Sequence, residues 1–424
     1  MESLPIPPLI QALLDKFTEK LEFPGALDST ERFWRDHYTW LKDRGYTLRP
    51  RYHPDWKPSW AGTNKSYSQC EDGYSPMESH HLMDALRTSD NQMVMMKKVL
   101  ATPSLRSPER REVEMARKLF LSGLVPPDDP QNHCIPVLDI LELPKPDIVE
   151  EDYKPEVLIV MPFLRDWSDM PFKTIGEVLS FIRQTFKGMQ LLHSLKIAHN
   201  DIKLDNIMVD TSPLYPKNQL IHPYYSDRTY DWKKRIQPTK SLTRNPVKYY
   251  FIDFEFTRQY DADLNSNSGS NAIGIPAYGG DQTVPEFEVQ DLDECDPFAV
   301  DVYRLGNIVR QHFTKGTPYG PPNPQFTFLL PLITQMTHED PSKRPLINQA
   351  LVHLDEIIQS LKSKSIWNRN WDWKLRARIQ SQKESWVLIK RTRHFVDQVV
   401  NVVRGFEAVP PTPTGGSSSS SSYA

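Results

Sequence analysis

The sequence HNDIKLDN at residues 199–206, followed by IDFE at residues 252–255, carries the most informative chemistry of this 424-residue chain. Transfer of a phosphoryl group from Mg-ATP needs one carboxylate to orient the attacking hydroxyl. It also needs a second carboxylate and an amide to hold Mg²⁺. Asp201 suits the first role, and Asp253 with Asn206 suits the second.

The two stretches resemble the catalytic loop H-R-D-x-K-x-x-N and the metal loop D-F-G of the eukaryotic protein-kinase family. Asn200 replaces the arginine, and Glu255 replaces the glycine. The resemblance implies that Asp201 is the catalytic base and that Lys203 steadies the γ-phosphate. It further implies that Asn206, Asp253 and Glu255 are the metal-binding residues, although the carboxylate of Glu255 could instead repel phosphate.

Residues 94–97 resemble the V-A-I-K strand of the same family. Alternation along a strand directs Lys97 toward the nucleotide and Lys98 to the opposite face. The helix expected at residues 109–120 fits the family's αC helix best at Glu112. The resemblance therefore implies that Lys97 pairs the α- and β-phosphates and that Glu112 orients it.

Three later stretches resemble family signatures in the right order. They are VPE at 284–286, DVYRLG at 301–306 and DPSKRP at 340–345. The family uses the aspartate of the second signature to hold the catalytic loop, and it pairs the arginine of the third with the glutamate of the first. The structural roles implied are those of His199, Phe254, Glu286, Asp301 and Arg344. His199 is expected to pack under Phe254 and not to act as an acid or base.

The apolar run at residues 157–161 resembles the strand that leads into a kinase hinge. Met161 then occupies the gatekeeper position. The resemblance implies that adenine bonds to the carbonyl of Pro162 and the amide of Leu164, and a proline is acceptable where only a carbonyl is used.

The predicted fold class is α+β, a bilobal kinase-like fold with a small β-rich N-lobe carrying αC and a large, mainly helical C-lobe. We expect a helical extension over residues 1–60, the kinase-like domain over 61–361 with an insert at 211–248, a C-terminal helical segment over 362–407 and a disordered tail over 408–424. The overall resemblance is greatest to expanded fungal kinase-like proteins and covers residues 33–361.

Composition limits the kinds of ligand and the cellular location that are expected for this chain. A hydrophobic content of 38% allows a substantial core, and a net charge of −3 argues against nucleic acid as the main partner. The isolated Cys70, Cys134 and Cys295 suggest neither disulfides nor a zinc site. With no apolar run long enough to span a membrane and no signal-peptide pattern, a cytoplasmic or nuclear location is expected. ATP, Mg²⁺ and a protein substrate are the expected ligands, and the sequence leaves the oligomeric state open.

Local patterns add further expectations. Apolar residues at 9–21 recur at helical spacing, and Asp28 with Glu31 resembles a capping box for a second helix. The aromatic and basic insert at 211–248 is read either as a docking surface or as a solvated loop. Residues 366–406 predict one or two helices that dock on the large lobe.

Departures from the family keep alternatives open. No G-x-G-x-x-G precedes Lys97, and Gly62 and Gly73 are too far apart to form that turn. In the family, the activation segment ends at the signature that VPE at 284–286 resembles, and its candidate phosphorylation sites here are Ser266, Ser268, Ser270 and Thr283. Asn200 replaces the arginine that usually binds a phosphate on this segment. We therefore expect an activity that does not need that switch. The alternatives are a pseudokinase scaffold and a small-molecule kinase, because choline and aminoglycoside kinases also use H-N-D-x-x-x-x-N and I-D-F-E.

Overall fold

The described residues form both α-helices and antiparallel sheets, which confirms the α+β class. The computed structural model describes residues 21–73, 81–101, 111–126, 129–145, 155–169, 171–216, 219–260, 280–288, 295–314, 323–362, 372–379 and 387–413. The predicted N-terminal helix at residues 9–21 lies almost wholly outside these ranges.

The described strands are β1 Tyr46–Thr47, β2 Leu82–Arg87, β3 Gln92–Leu100, β4 Asp139–Glu142, β5 Glu156–Pro162, β6 Arg165–Asp166, β7 Ile197–Ala198, β8 Ile207–Asp210, β9 Lys248–Phe251 and β10 Arg258–Gln259. The described α-helices are α1 Ser29–Asp36, α2 Tyr38–Asp43, α3 Arg111–Ala116, α4 Ile175–Ser194, α5 Pro297–Val309, α6 Leu330–Met336, α7 Ile347–Leu361, α8 Trp373–Arg376 and α9 Val387–Val403.

Contacts divide the chain into two units. The first takes its described residues from 1–99, 138–163 and 219–237, and the second from 100–137, 164–218 and 238–424. The bilobal arrangement stays a prediction.

The first unit is built on a five-stranded sheet in the order β1-β2-β3-β5-β4. Its core combines Trp34 and Leu41 from the N-terminal helices with Met83, Val94 and Leu158 from the sheet. The described part of the extension predicted at residues 1–60 therefore shares one hydrophobic core with the strands, because the aromatic faces of α1 and α2 are buried against them.

The capping box predicted for the second helix is confirmed at the start of α1. The Asp28 carboxylate accepts from the backbone N–H groups of Thr30 and Glu31, at 2.9 and 2.8 Å, and the Glu31 carboxylate accepts from the N–H of Asp28 at 3.2 Å. Helix α1 ends before His37, and α2 begins directly after it.

Residues 48–81 join β1 to β2, where a glycine-rich loop stands in the family. Arg51, buried within this segment, donates twice to the Glu31 carboxylate at 2.6 and 2.7 Å. It also donates to the backbone carbonyls of Gly25 and Asp72 at 2.9 and 2.7 Å. One buried guanidinium thus ties the described residues 48–73, which contain only short 3-10 helices, to the start of α1.

The insert predicted at residues 211–248 contributes residues 219–237 to the first unit. The hydroxyl of Tyr224 donates to Oδ1 of Asp84 at 2.9 Å, and Nε2 of His222 lies 3.4 Å from the Glu71 carboxylate. The Arg49 guanidinium bonds the same Asp84 at 3.1 Å and lies over the Tyr224 ring. This part of the insert is consequently packed structure and not a solvated loop.

The second unit is organised around α4 and α5. Thr174 and Glu177 form a capping box at the start of α4. Asp296 caps α5, Pro297 occupies its first position, and every residue from Pro297 to Val309 is buried. Two small sheets, β6-β8-β9 and β7-β10, lie in this unit.

The C-terminal prediction holds for the helices and changes for the tail. The described part of residues 366–406 contains α8 and α9. Ala408 and Val409 are buried, and the carbonyl of Pro410 accepts from the Ser180 hydroxyl on α4 at 2.8 Å. The disordered tail predicted from residue 408 therefore does not begin there, since these apolar residues pack on α4, while residues 414–424 lie outside the described ranges. No helix in the described part of the chain is long and apolar enough to cross a membrane.

Candidate active site

The loop between β7 and β8 carries the predicted catalytic residues and is held by helix α5. Asp301 of α5, fully buried, accepts the backbone N–H of His199 through Oδ2 at 2.8 Å and that of Asn200 through Oδ1 at 2.9 Å. Hydrogen bonds to an ionised acceptor are short and strong, so both carboxylate oxygens fix the loop backbone.

Two residues of the site have left-handed backbone conformations. Asn200 and Asp253 both have φ of 64°. Such backbone is strained for residues other than glycine and persists only where the surroundings enforce it. The Asn200 amide helps to hold this conformation by donating to the carbonyl of Phe256 at 3.0 Å. Asparagine at the position of the family's arginine thus has a local structural reason.

Asp201 is surrounded by donors. Its Oδ1 accepts the backbone N–H of Gly280 at 2.6 Å, and its Oδ2 accepts from the Asn206 amide at 2.8 Å and lies 2.9 Å from the Lys203 ammonium. Burial by itself raises the pKa of the carboxyl, but the Gly280 N–H and Lys203 outweigh it and hold the pKa of Asp201 below its ordinary value. Asp201 is therefore ionised at neutral pH, as a group that accepts a proton must be.

The antiparallel pair of strands β8 and β9 places the predicted metal ligands Asn206 and Asp253 at one end of the pair. Ile207 pairs with Phe251, and the next backbone bond runs from the N–H of Ile252 to the carbonyl of Asn206 at 3.0 Å. Asp253 follows one residue later. Because the Asn206 amide nitrogen faces Asp201, its oxygen is the atom left for a cation, and Mg²⁺ prefers oxygen ligands.

Within the described residues, His, Cys, Asp and Glu side chains form no group of three or more arranged for a metal. A magnesium ion that shares its shell with substrate phosphates needs only one or two carboxylates. Asp253 and the amide oxygen of Asn206 fit that smaller requirement, and Glu255 follows Asp253 by two residues.

His199 lies beneath the metal loop. Its ring centroid is 5.2 Å from that of Phe254, and its Nε2 lies 3.1 Å from the carbonyl of Ile252. Burial lowers the pKa of His199 despite the neighbouring acids, so the imidazole is neutral at neutral pH. Its surroundings are those of a packed ring.

Helix α5 also holds residues 280–284, the described end of the predicted activation segment. The Asn307 amide donates to Oδ2 of Asp281 at 2.7 Å and to the Thr283 hydroxyl at 2.9 Å. The Tyr303 hydroxyl donates to the carbonyl of Thr283 at 2.7 Å. Of the four candidate phosphorylation sites, only Thr283 lies in the described part of the chain.

Arg304 joins the catalytic loop to residues 280–284. Sequence reasoning did not single out this residue. The buried guanidinium donates to the carbonyl of Asn200 and, through Nε and Nη2, to the carbonyl of Asp281 at 3.2 Å. The available signal was its position three residues after Asp301 on a helix, which puts both side chains on one face.

A buried ion pair follows the activation segment. The Arg344 guanidinium donates to both carboxylate oxygens of Glu286, at 2.8 and 2.6 Å, and also to the carbonyls of His338 and Ala299. This bidentate geometry satisfies both ions and ties the region after the segment to the start of α5.

The remaining predicted residues are divided between the units. Lys97 lies on β3 of the first unit, while the neighbouring Lys98 pairs with Glu156 at 3.5 Å. Met161 and Pro162 end β5 in the same unit. Leu164 and Glu112 belong to the second unit, where both are buried. The pairing of Lys97 with Glu112 and the adenine contacts stay predictions.

No protein-family model matches this chain. Among curated proteins, serine/threonine-protein kinase oca2 of Schizosaccharomyces pombe is 29% identical to it over 126 residues. The match covers 30% of this chain and 18% of that protein. It supports a kinase-like sequence, and the chain spans only a small part of the length of the relative.

Proposed function

We propose that this chain transfers the γ-phosphoryl group of Mg-ATP to Ser or Thr hydroxyls of a protein. The observation that carries the proposal is the set of contacts around Asp201, with Lys203 and Asn206 on one carboxylate oxygen and Asp253 next along the hairpin. The partial similarity to a serine/threonine-protein kinase supports the choice of acceptor.

Asp201 acts on the acceptor hydroxyl. Three donors occupy three of the roughly four lone-pair sites of its carboxylate, which leaves one site for the hydroxyl. The lowered pKa keeps the carboxylate ionised, so it orients the hydroxyl and takes its proton as the bond to phosphorus forms. Lys203, 2.9 Å from Asp201, steadies the γ-phosphate.

Nucleotide and metal are assigned to the other predicted residues. When bound, Mg²⁺ would neutralise charge on the phosphates, and Asp253 with the amide oxygen of Asn206 would hold it. The family resemblance assigns Lys97 and Glu112 to the α- and β-phosphates, and Met161, Pro162 and Leu164 to the adenine. These assignments follow the family resemblance.

A pseudokinase scaffold is the second candidate function, because a specific observation favours it. No glycine-rich phosphate-binding sequence precedes Lys97, and the described residues 48–73 contain a buried arginine, Arg51, that bonds Gly25 and Glu31 outside the stretch and Asp72 within it. A chain that lacks the glycine-rich loop could bind partners without turnover.

The test is to incubate the full chain with γ-labelled Mg-ATP and to measure transfer of label to three acceptors: the chain itself, generic protein substrates and choline. Label on Ser or Thr supports the proposal, and label on choline identifies a small-molecule kinase. Absence of label in every sample contradicts the proposal and favours the scaffold. Thermal stabilisation by ATP that depends on Mg²⁺ then separates a nucleotide-binding scaffold from one that binds none.

A further inference from the structure

The carbonyls that Arg304 binds flank the contact between the catalytic loop and the activation segment. Asn200 directly precedes Asp201, and Asp281 directly follows Gly280, whose N–H is bonded to Asp201 at 2.6 Å. The guanidinium therefore closes a ring around this hydrogen bond. Neither segment can move away from the other without breaking a bond to Arg304.

The charged guanidinium of Arg304 lies next to Asn200, the residue that stands where the family has an arginine. Asn200 has no positive charge with which to bind a phosphate, so a phosphorylated activation segment lacks its usual receptor. Arg304 instead reaches the carbonyl of Asn200 from helix α5, and its guanidinium lies 5.4 Å from the ring centroid of Phe287. A fixed cation on the helix contacts the segment's own backbone.

Neighbouring side chains on the same helix complete the attachment. Tyr303 and Asn307, one residue before and three after Arg304, bind Thr283 and Asp281 at 2.7 Å. The hydroxyl of Thr283 itself donates to Oδ1 of Asp281 at 2.7 Å. Helix α5 thus contacts residues 281–283 through hydrogen bonds from Tyr303, Arg304 and Asn307.

We propose that Arg304 is a positioning residue that holds the catalytic loop and residues 280–284 in the reactive arrangement without phosphorylation of the activation segment. This inference rests on the proposed function. It assigns to helix α5 the task that a phosphate and a loop arginine perform elsewhere. In this role Arg304 acts on the reaction through the position of Asp201.

The experiment uses the full chain made in bacteria and treated with a phosphatase, with loss of phosphate verified by intact mass. Wild type, Arg304→Lys and Arg304→Gln are compared for kcat and KM for ATP, with Arg183→Gln as the control. Arg183 is a half-exposed arginine of the same unit that pairs with Asp355. Hydrogen exchange of residues 280–288 is measured on each protein.

The proposal expects dephosphorylated wild type to keep its kcat. Arg304→Gln should lower kcat by about 10²-fold, the size of a misplacement effect, with little change in KM. Exchange at 280–288 should accelerate, and the lysine variant should recover part of both losses. The lysine variant retains the charge, so it decides the question if Arg304→Gln does not fold.

Loss of activity on phosphatase treatment overturns the proposal, as does wild-type kcat in Arg304→Gln. If wild type transfers no phosphate to any acceptor, the proposed function fails. Hydrogen exchange then still decides whether Arg304 holds the segment, and unchanged exchange in Arg304→Gln rejects that as well.

Discussion

The backbone N–H of Gly280 donates to Oδ1 of Asp201 at 2.6 Å, which joins the predicted base to the end of the predicted activation segment. This bond also lowers the pKa of the carboxyl. The position of the segment and the protonation of the base are therefore linked through one contact.

The first prediction concerns pH. Because the pKa of Asp201 is lowered in the folded protein, its ionisation contributes stability that is fully present above the unfolded pKa, about 3.9, and is lost as pH falls through the lowered value. We expect no acid limb from Asp201 in kcat between about pH 5.5 and 8. Lys203→Met removes a contact that lowers this pKa, so the acid limb should move to higher pH. A pH–rate profile that titrates near neutrality in wild type and does not move in the variant would contradict the assignment.

The second prediction compares neighbouring lysines on β3. Lys97→Met should lower kcat/KM for ATP by at least about tenfold, because the variant loses a charge assigned to the phosphates. Lys98 pairs with Glu156 and lies 4.3 Å from the Phe33 ring centroid, so Lys98→Met is the matched control. It should leave kcat/KM nearly unchanged and destabilise the fold by about 0.2–1 kcal/mol. Equal kinetic effects in the two variants would rule out the assigned role of Lys97.

The third prediction concerns the ion pair between Arg344 and Glu286. Their side chains are 1% and 11% exposed, so Arg344→Met leaves a largely buried carboxylate without its partner. We expect a loss of about 3–5 kcal/mol in the free energy of unfolding. Arg183→Met, which breaks the half-exposed pair with Asp355, should cost about 0–1 kcal/mol. Urea unfolding of both variants provides the comparison, and equal losses would mean that the buried pair contributes little.

The fourth prediction tests the insert. Tyr224→Phe removes the hydroxyl that donates to the fully buried Asp84 and should destabilise the chain by about 1–3 kcal/mol. Lys233→Ala, at an insert side chain that is 77% exposed, should change stability by less than about 0.5 kcal/mol. If thermal unfolding shows both substitutions to be neutral, residues 219–237 do not stabilise the first unit.

Sequence reasoning could identify the elements whose signal is local. The capping box at Asp28 and Glu31 needs only residues three apart. The apolar run before the predicted hinge forms β5. Asp201 and Asn206, five residues apart, are joined by a hydrogen bond between their side chains. In each case the interacting residues are neighbours in the chain.

Contacts between distant residues could not be predicted in the same way. Arg51 meets Glu31 across 20 residues, and Tyr224 meets Asp84 across 140. Nothing in the composition of residues 48–81 or of the insert indicates which buried acid each will find. Arg304 was missed for a related reason, because its partners are backbone carbonyls, which leave no trace in the sequence.

The most direct test of phosphoryl transfer by this site compares wild type with Asp201→Asn in single-turnover transfer from γ-labelled Mg-ATP, alongside thermal shifts with Mg-ATP. The account predicts that the variant keeps its nucleotide-induced shift and transfers phosphate about 10²- to 10⁴-fold more slowly, the usual contribution of a positioned base. Transfer by Asp201→Asn at the wild-type rate would contradict it.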